Sequence, residues 1–210
     1  MRALLVATIL ATAPVALPEH LTAPLCVGCA TPAADDAPDL ARLRNGEILT
    51  VHADDRDARQ TVELTALVPH RPTQVWAVLT DFANRPVWQP STREVTVVRV
   101  DGARVWVDEL ARFLFIDIRY RLALTLDTEA GTIDFAMDEE SPHDIGDVHG
   151  RWRLRRVDDG RMTLVTYRAS IDFGHGLPLW LQRALMRYSL PRLLANLRDE
   201  ADRRFGAAPS

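Results

Sequence analysis

The densest set of chemically capable side chains is Asp138-Glu139-Glu140-Ser141-Pro142-His143-Asp144, followed by Asp147 and His149. Carboxylates and imidazoles bind divalent metals. Their spacing here matches no closed metal site, and proline among charges beside a strand end reads as a solvated loop, so no metal is expected. Acid–base work would fall to Tyr120, Tyr167 and Arg112, with the guanidinium holding an oxyanion. None of the three sits in a motif that demands chemistry, and arginine is a poor base. The sequence has no G-x-S-x-G, H-E-x-x-H or phosphate loop. Its 25 positive charges are all arginine, which excludes a Schiff-base lysine and a phosphate-loop lysine. Cys26 and Cys29 are the only cysteines, so the chain beyond them has no thiol nucleophile or thiolate ligand. A net charge of −4 argues against a nucleic-acid partner held by a general positive field. One row of cations stands out: Arg151, Arg153 and Arg155, with Arg119, Arg121 and Arg168. Such a row can meet anionic headgroups. The expected reading is instead the wet face of a sheet, paired across strands with acids such as Asp117 and Asp134.

The elements that position these groups are mostly strands. Residues 60–68 (QTVELTALV) alternate and form a first core strand, preceded by an Asn45-Gly46 turn and a short strand at 47–51. Pro69 to Pro72 end the core strand. Thr73 can cap a helix whose apolar face is Val75, Trp76, Val78 and Leu79, and residues 81–88 form a second short helix or turn. Strands follow at 94–100 and 103–111, joined by Asp101-Gly102, a strong hairpin signal. Residues 113–127 place Ile116, Ile118, Tyr120, Leu122, Leu124 and Leu126 on one face and Asp117, Arg119, Arg121 and Thr125 on the other. Residues 132–137 turn Ile133, Phe135 and Met137 inward. Residues 147–157 alternate strictly, with Val148, Gly150, Trp152 and Leu154 on the apolar side, and residues 161–173 close the set. One dry and one wet face is what an antiparallel sheet allows. The last segment, 177–204, carries an apolar row at helical spacing: Leu179, Met186, Leu190, Leu193, Leu194, Leu197 and Ala201. A second row, Leu177, Trp180, Leu181, Ala184, Leu185 and Tyr188, stops before Pro191, where the helix should kink or restart. Such a helix needs a large concave apolar surface to lie in.

The first 30 residues read as an export leader. Met1-Arg2-Ala3 is followed by an apolar run to Leu17, too short for a span of roughly 20 residues. Gly28-Cys29-Ala30 has a small-x-small cleavage pattern. A lipid-anchored cysteine is a weaker reading, because Cys26 follows Leu25 and Cys29 has Cys26 where an aliphatic residue is expected. Residues 31–39 (TPAADDAPD) form a tether, and residues 40–206 form one domain. The expected location is the periplasm or cell envelope.

Pro72-Thr73-Gln74-Val75-Trp76-Ala77-Val78-Leu79-Thr80-Asp81-Phe82, followed by Arg85-Pro86-Val87-Trp88-Gln89-Pro90, resembles the opening helices of the START-like (SRPBCC) superfamily. Gly150-Arg151-Trp152-Arg153-Leu154, Asp159-Gly160 and the closing helix add to that resemblance. The nearest group it resembles is the polyketide cyclase/dehydrase and coenzyme-Q-binding one. The resemblance covers roughly residues 40–204 and rests on structural rather than catalytic motifs. It implies an α+β helix-grip fold: a seven-stranded, curved antiparallel sheet wrapped around a long C-terminal helix, with a hydrophobic cavity between them. Family members bind lipids, quinones, polyketides or other apolar molecules, and only some are enzymes. The cavity wall it implies is Trp88, Tyr120, Phe135, Met137, Trp152, Tyr167, Phe173, Trp180, Leu181, Leu185 and Tyr188, whose aromatic bodies suit flat or isoprenoid ligands.

The expectation is an exported protein that binds a small hydrophobic ligand under its last helix, without a cofactor or catalytic residue. Access would run near residues 174–176 and the acidic loop. Leu179 and Met186 could touch a membrane transiently if no other element covers them. Two alternatives stay open. One is a cofactor-free polyketide-type cyclase or dehydratase. The other is an envelope interaction module whose core is filled by its own side chains.

Overall fold

Strict alternation makes a strand dry on one side and wet on the other, and six consecutive alternating segments leave little choice but a meander. The computed structural model describes residues 39–54, 59–113, 116–174, 180, 182 and 190–207. Residues 1–30, read above as an export leader, most of the expected tether and the Leu179/Met186 pair lie outside these residues. A five-residue helix α1 (Leu40–Arg44) precedes β1 (Leu49–Asp54) and β2 (Gln60–Val68). Next come α2 (Pro72–Thr80), a 3-10 turn (Phe82–Asn84) and α3 (Arg85–Trp88). The meander is β3 (Thr92–Asp101), β4 (Arg104–Phe113), β5 (Ile116–Asp127), β6 (Thr132–Met137), β7 (Asp147–Val157) and β8 (Met162–Asp172). The described C-terminal helix, α4, runs Leu190–Phe205.

The strands form one eight-stranded sheet in the order β1-β2-β8-β7-β6-β5-β4-β3, antiparallel throughout. The resemblance implies seven strands, and here a further strand is present. Helix α1 was not expected. It starts on a side-chain cap from Asp39 to the Arg42 N–H and lays Leu43 against Leu67 and Leu164 on the outer sheet face. Helix α2 starts one residue before Thr73. Pro72 occupies its first turn, where a missing N–H costs nothing, and the Gln74 side chain accepts from the Arg71 N–H at 3.0 Å. Gly102 takes φ +57° in the β3–β4 hairpin, a conformation that a side chain would strain.

Inside the sheet, Val62, Leu64, Ala66 and Val68 of β2, Val105 and Val107 of β4, and Leu154 and Val165 of β7 and β8 are buried. Leu193, Leu194, Leu197 and Ala201 of α4 lie in the same core, as their helical spacing requires. Each fully buried Leu or Val contributes roughly 1.5–3 kcal/mol of transfer free energy. Two polar ties fix α4 at its far end. Arg204 donates to Asp81 Oδ2 at 2.7 Å, and the buried His70 imidazole meets Asp202 Oδ1 at 2.7 Å. The outer face is wet and ion-paired: Arg151 with Asp134, Arg121 with Asp108, and Arg112 with Asp117. Among the described residues no helix is long and apolar enough to cross a membrane.

Candidate functional site

Between the sheet and the start of α4 lies a cavity of about 430 Å³. That falls within the roughly 300–1,000 Å³ of ordinary small-molecule sites. Its apolar wall is set by strand register. Leu122 and Leu124 of β5 lie beside Phe135 of β6, while Trp152 of β7 faces Tyr167 of β8 as a direct cross-strand pair. Gly150 is what allows this packing. With no side chain on β7 at that point, the Phe135 ring lies across the gap and stacks on Tyr167, with centroids 5.9 Å apart and planes at 15°. Trp152 leans on Tyr167 at 4.5 Å and 48°. Such aromatic pairs add about 0.5–1.5 kcal/mol beyond their buried area.

The opposite wall is polar and comes from the segment after α2. Arg85 at the start of α3 reaches Glu109 Oε2 on β4 at 3.2 Å and lies over the Phe82 ring. Glu109 also accepts from the Thr92 hydroxyl at 2.8 Å and is 4% exposed. Tyr120 stands directly across from Glu109 in the β4–β5 register. Tyr120 lines the cavity and is half-buried. Burial, and then the nearby Glu109 charge, lifts its phenol well above the ordinary value of 10.0. Tyr167 is raised for the same two reasons in the same order. Both phenols therefore stay protonated; that of Tyr120 is engaged with the Glu109 carboxylate, and that of Tyr167 is left to donate. Trp88 lines the cavity at 4% exposure, and its indole N–H is buried with no hydrogen-bond partner. Buried donors in native proteins nearly always have one.

Of the residues expected on the wall, Trp88, Tyr120, Phe135, Trp152, Tyr167 and Phe173 line the cavity. Met137 is buried in the core behind them and is not on the lining. Trp180 points elsewhere: it is 64% exposed and takes no part in the lining. Leu181, Leu185 and Tyr188 lie outside the described residues. Arg112, considered for acid–base work, is on the outer face in an ion pair with Asp117. The acidic loop is also away from the cavity. Asp138 accepts from the Ser141 hydroxyl, Asp144 from the Arg119 N–H, and Asp147 pairs with Arg59. Among the described residues no three His, Cys, Asp or Glu side chains come together as metal ligands. Residues 175 and 176, where access was expected, lie outside the described residues. Among the described lining residues of the cavity Pro90 and Arg192 are exposed, flanked by Gln89, Ser91, Leu190 and Asn196, so the cavity meets solvent between the turn after α3 and the start of α4.

Sequence reasoning missed Arg85 and Glu109 as a pair. Glu109 had a signal, since it occupies the inward register of Val105, Val107 and Ala111 in a strand. Arg85 had none, because it reaches the site from a short helix whose orientation depends on tertiary contacts.

A curved antiparallel sheet closed by a C-terminal helix over an apolar chamber with a few polar groups defines a binder of small hydrophobic molecules. The chain matches the family model described as polyketide cyclase/dehydrase and lipid transport over residues 59–202, and it belongs to that family. No curated protein matches it. Among solved structures it is similar to the Zhui aromatase/cyclase from a Streptomyces species: 22% identity over 72% of this chain and 99% of that one, TM-score 0.60. It is also similar to a STAR-related lipid transfer protein from Xanthomonas axonopodis: 16% identity, 72% and 98% coverage, TM-score 0.59. Human StAR-related lipid transfer protein 5 matches at 12% identity, 76% and 84% coverage, TM-score 0.61. At these identities the likeness establishes the helix-grip fold alone.

Proposed function

We propose that this protein is exported and binds one small hydrophobic molecule, a lipid, quinone or polyketide-like compound, in the cell envelope. The observation that carries the reading is the cavity itself, walled by Leu122, Leu124, Phe135, Trp152 and Tyr167 and reached past Pro90 and Arg192. Removing about 300 Å² of apolar ligand surface from water at about 25 cal/mol per Å² supplies roughly 7 kcal/mol before ordering costs. Taken alone, that corresponds to a dissociation constant on the order of 10 μM before those costs, with no catalytic group needed. An open chamber does not suit an interaction module with a filled core. The location rests on the leader: a short positive start, an apolar run and a small-x-small site.

A second reading, a cofactor-free cyclase or dehydratase, draws support from Arg85, Glu109, Tyr120 and Tyr167 converging on one chamber. In that reading the phenols donate to a developing enolate and Glu109 takes up a proton. Native mass spectrometry of the protein purified from its own envelope, with extraction of what is released, tests the proposal. A single co-purifying apolar compound, released unchanged, is the expected result. A compound converted on incubation would favour the cyclase. An empty protein that takes up no lipid or quinone would end the binding reading.

A further inference from the structure

The charges on the cavity wall are arranged in a way that selects among apolar ligands. This inference rests on the binding reading above and refines it. Among the described lining residues, Arg85 and Glu109 are the enclosed charges, and they meet at 3.2 Å; Arg192 is exposed at the rim. Glu109 further holds the Thr92 hydroxyl. The guanidinium is therefore already neutralised, and the chamber as a whole has no net charge to offer. What it has in surplus is a hydrogen-bond donor. The Tyr167 phenol lines the chamber with no hydrogen-bond partner among the described residues, whereas the Tyr120 phenol is already engaged with Glu109. A donor left in apolar surroundings calls for an acceptor, and a neutral chamber penalises a ligand that brings its own charge.

We infer that the cavity selects ligands with an uncharged carbonyl oxygen on an apolar body, such as a ketone, quinone or ester, with that oxygen accepting from the Tyr167 hydroxyl, and that Glu109 is the residue that turns carboxylates away. A carboxylate entering the chamber would face Glu109 beside Arg85. The same cation would attract it if Glu109 were neutral. Glu109 is thus a specificity-determining residue: it converts a buried arginine from an anion site into a neutral wall.

The test uses three probes with one apolar body: acetylnaphthalene, naphthoic acid and ethylnaphthalene, titrated into the full chain at neutral pH by calorimetry. The wild type should bind the ketone about tenfold more tightly than the hydrocarbon, the value of one well-made buried hydrogen bond, and more tightly still than the acid. Tyr167→Phe, which keeps the ring and removes only the hydroxyl, should reduce the ratio of ketone to hydrocarbon binding to near one. Glu109→Gln keeps an acceptor for Thr92 and should invert the ranking, with naphthoate ahead of the ketone. Arg85→Gln added to Glu109→Gln restores neutrality and should return the ketone to first place, which separates charge from misfolding. Naphthoate binding the wild type as well as the ketone does, or a Glu109→Gln ranking that does not change, overturns this inference alone. Failure of all three probes to bind the wild type overturns it together with the cavity-binding reading.

Discussion

Replacing Gly150 with alanine should destabilise the protein by about 2 kcal/mol, although alanine is ordinarily the better strand residue by roughly 0.5–1 kcal/mol. A Cβ at this position would lie 2.1 Å from the Arg168 carbonyl oxygen, 2.5 Å from Phe135 Cζ and 2.9 Å from Ala169 Cα. Two of these three atoms are backbone of β8 and cannot swing aside. The strand pair has to separate, or Phe135 has to leave its stack on Tyr167 and move into the chamber. Overpacking of this kind typically costs about 1–3 kcal/mol. For a chain of this length each kcal/mol shifts Tm by about 2–4 °C, so a drop of about 4–8 °C is expected in thermal melts, with a matching shift in urea midpoint. Adding Phe135→Leu to Gly150→Ala should recover only part of the loss, because it relieves the ring contact and leaves the backbone ones. A Gly150→Ala variant as stable as the wild type would refute the claim that this glycine is required for the close approach of Phe135 and β8.

Arg85→Leu, which leaves Glu109 buried beside Thr92 without its cation, should cost about 3 kcal/mol in urea unfolding; the double change Arg85→Leu with Glu109→Leu should cost clearly less. Glu200 is held below its usual value of 4.5 by hydrogen bonds first from Arg203 and then from Arg204, against the opposing effect of burial. The unfolded chain therefore binds the extra proton first, and this stabilisation is present above pH 4.5 and is lost as pH falls through the native value; the stability gap between wild type and Glu200→Gln should close on acidification below that point, as followed by denaturant titration at a series of pH values. For Tyr120 and Tyr167 the sign is reversed. With native values above 10.0, the folded state keeps protons that the unfolded state releases, so stability should fall as pH rises past that value; phenolate absorbance from these two residues should appear only together with unfolding, and Tyr→Phe at each position assigns it.

Much of the fold was legible because strand periodicity is a local signal. Residues 60–68, 132–137 and 147–157 follow from alternation alone, and the hairpin at Asp101-Gly102 from its turn chemistry. Helix α1 was not legible, since five residues carry almost no periodicity, and its formation depends on Leu43 finding Leu67 and Leu164 across the sheet. The cavity wall was read in part. Register puts Tyr120, Phe135, Trp152 and Tyr167 on one face, but spacing cannot say whether a face is packed solid or hollow. Trp180 shows the limit on the helix side: a helical row names neighbours, while the partner that covers them is decided elsewhere in the chain. Glu109 was present in the strand pattern as a carboxylate in an apolar register, and its significance emerges only once Arg85 arrives from a segment 24 residues away.

The most direct test of the central claim labels the five tryptophans with fluorotryptophan and follows their fluorine NMR signals as a naphthoquinone with a short alkyl tail is added. Trp88 and Trp152 line the cavity, whereas Trp106 sits on the outer face beneath Arg99, with 4.6 Å between guanidinium and ring centre. Saturable shifts of Trp88 and Trp152, with Trp106 unmoved, are the result expected of a ligand held between the sheet and α4. Signals of Trp88 and Trp152 that stay fixed while Trp106 or Trp180 moves would show that the cavity is not where this protein binds.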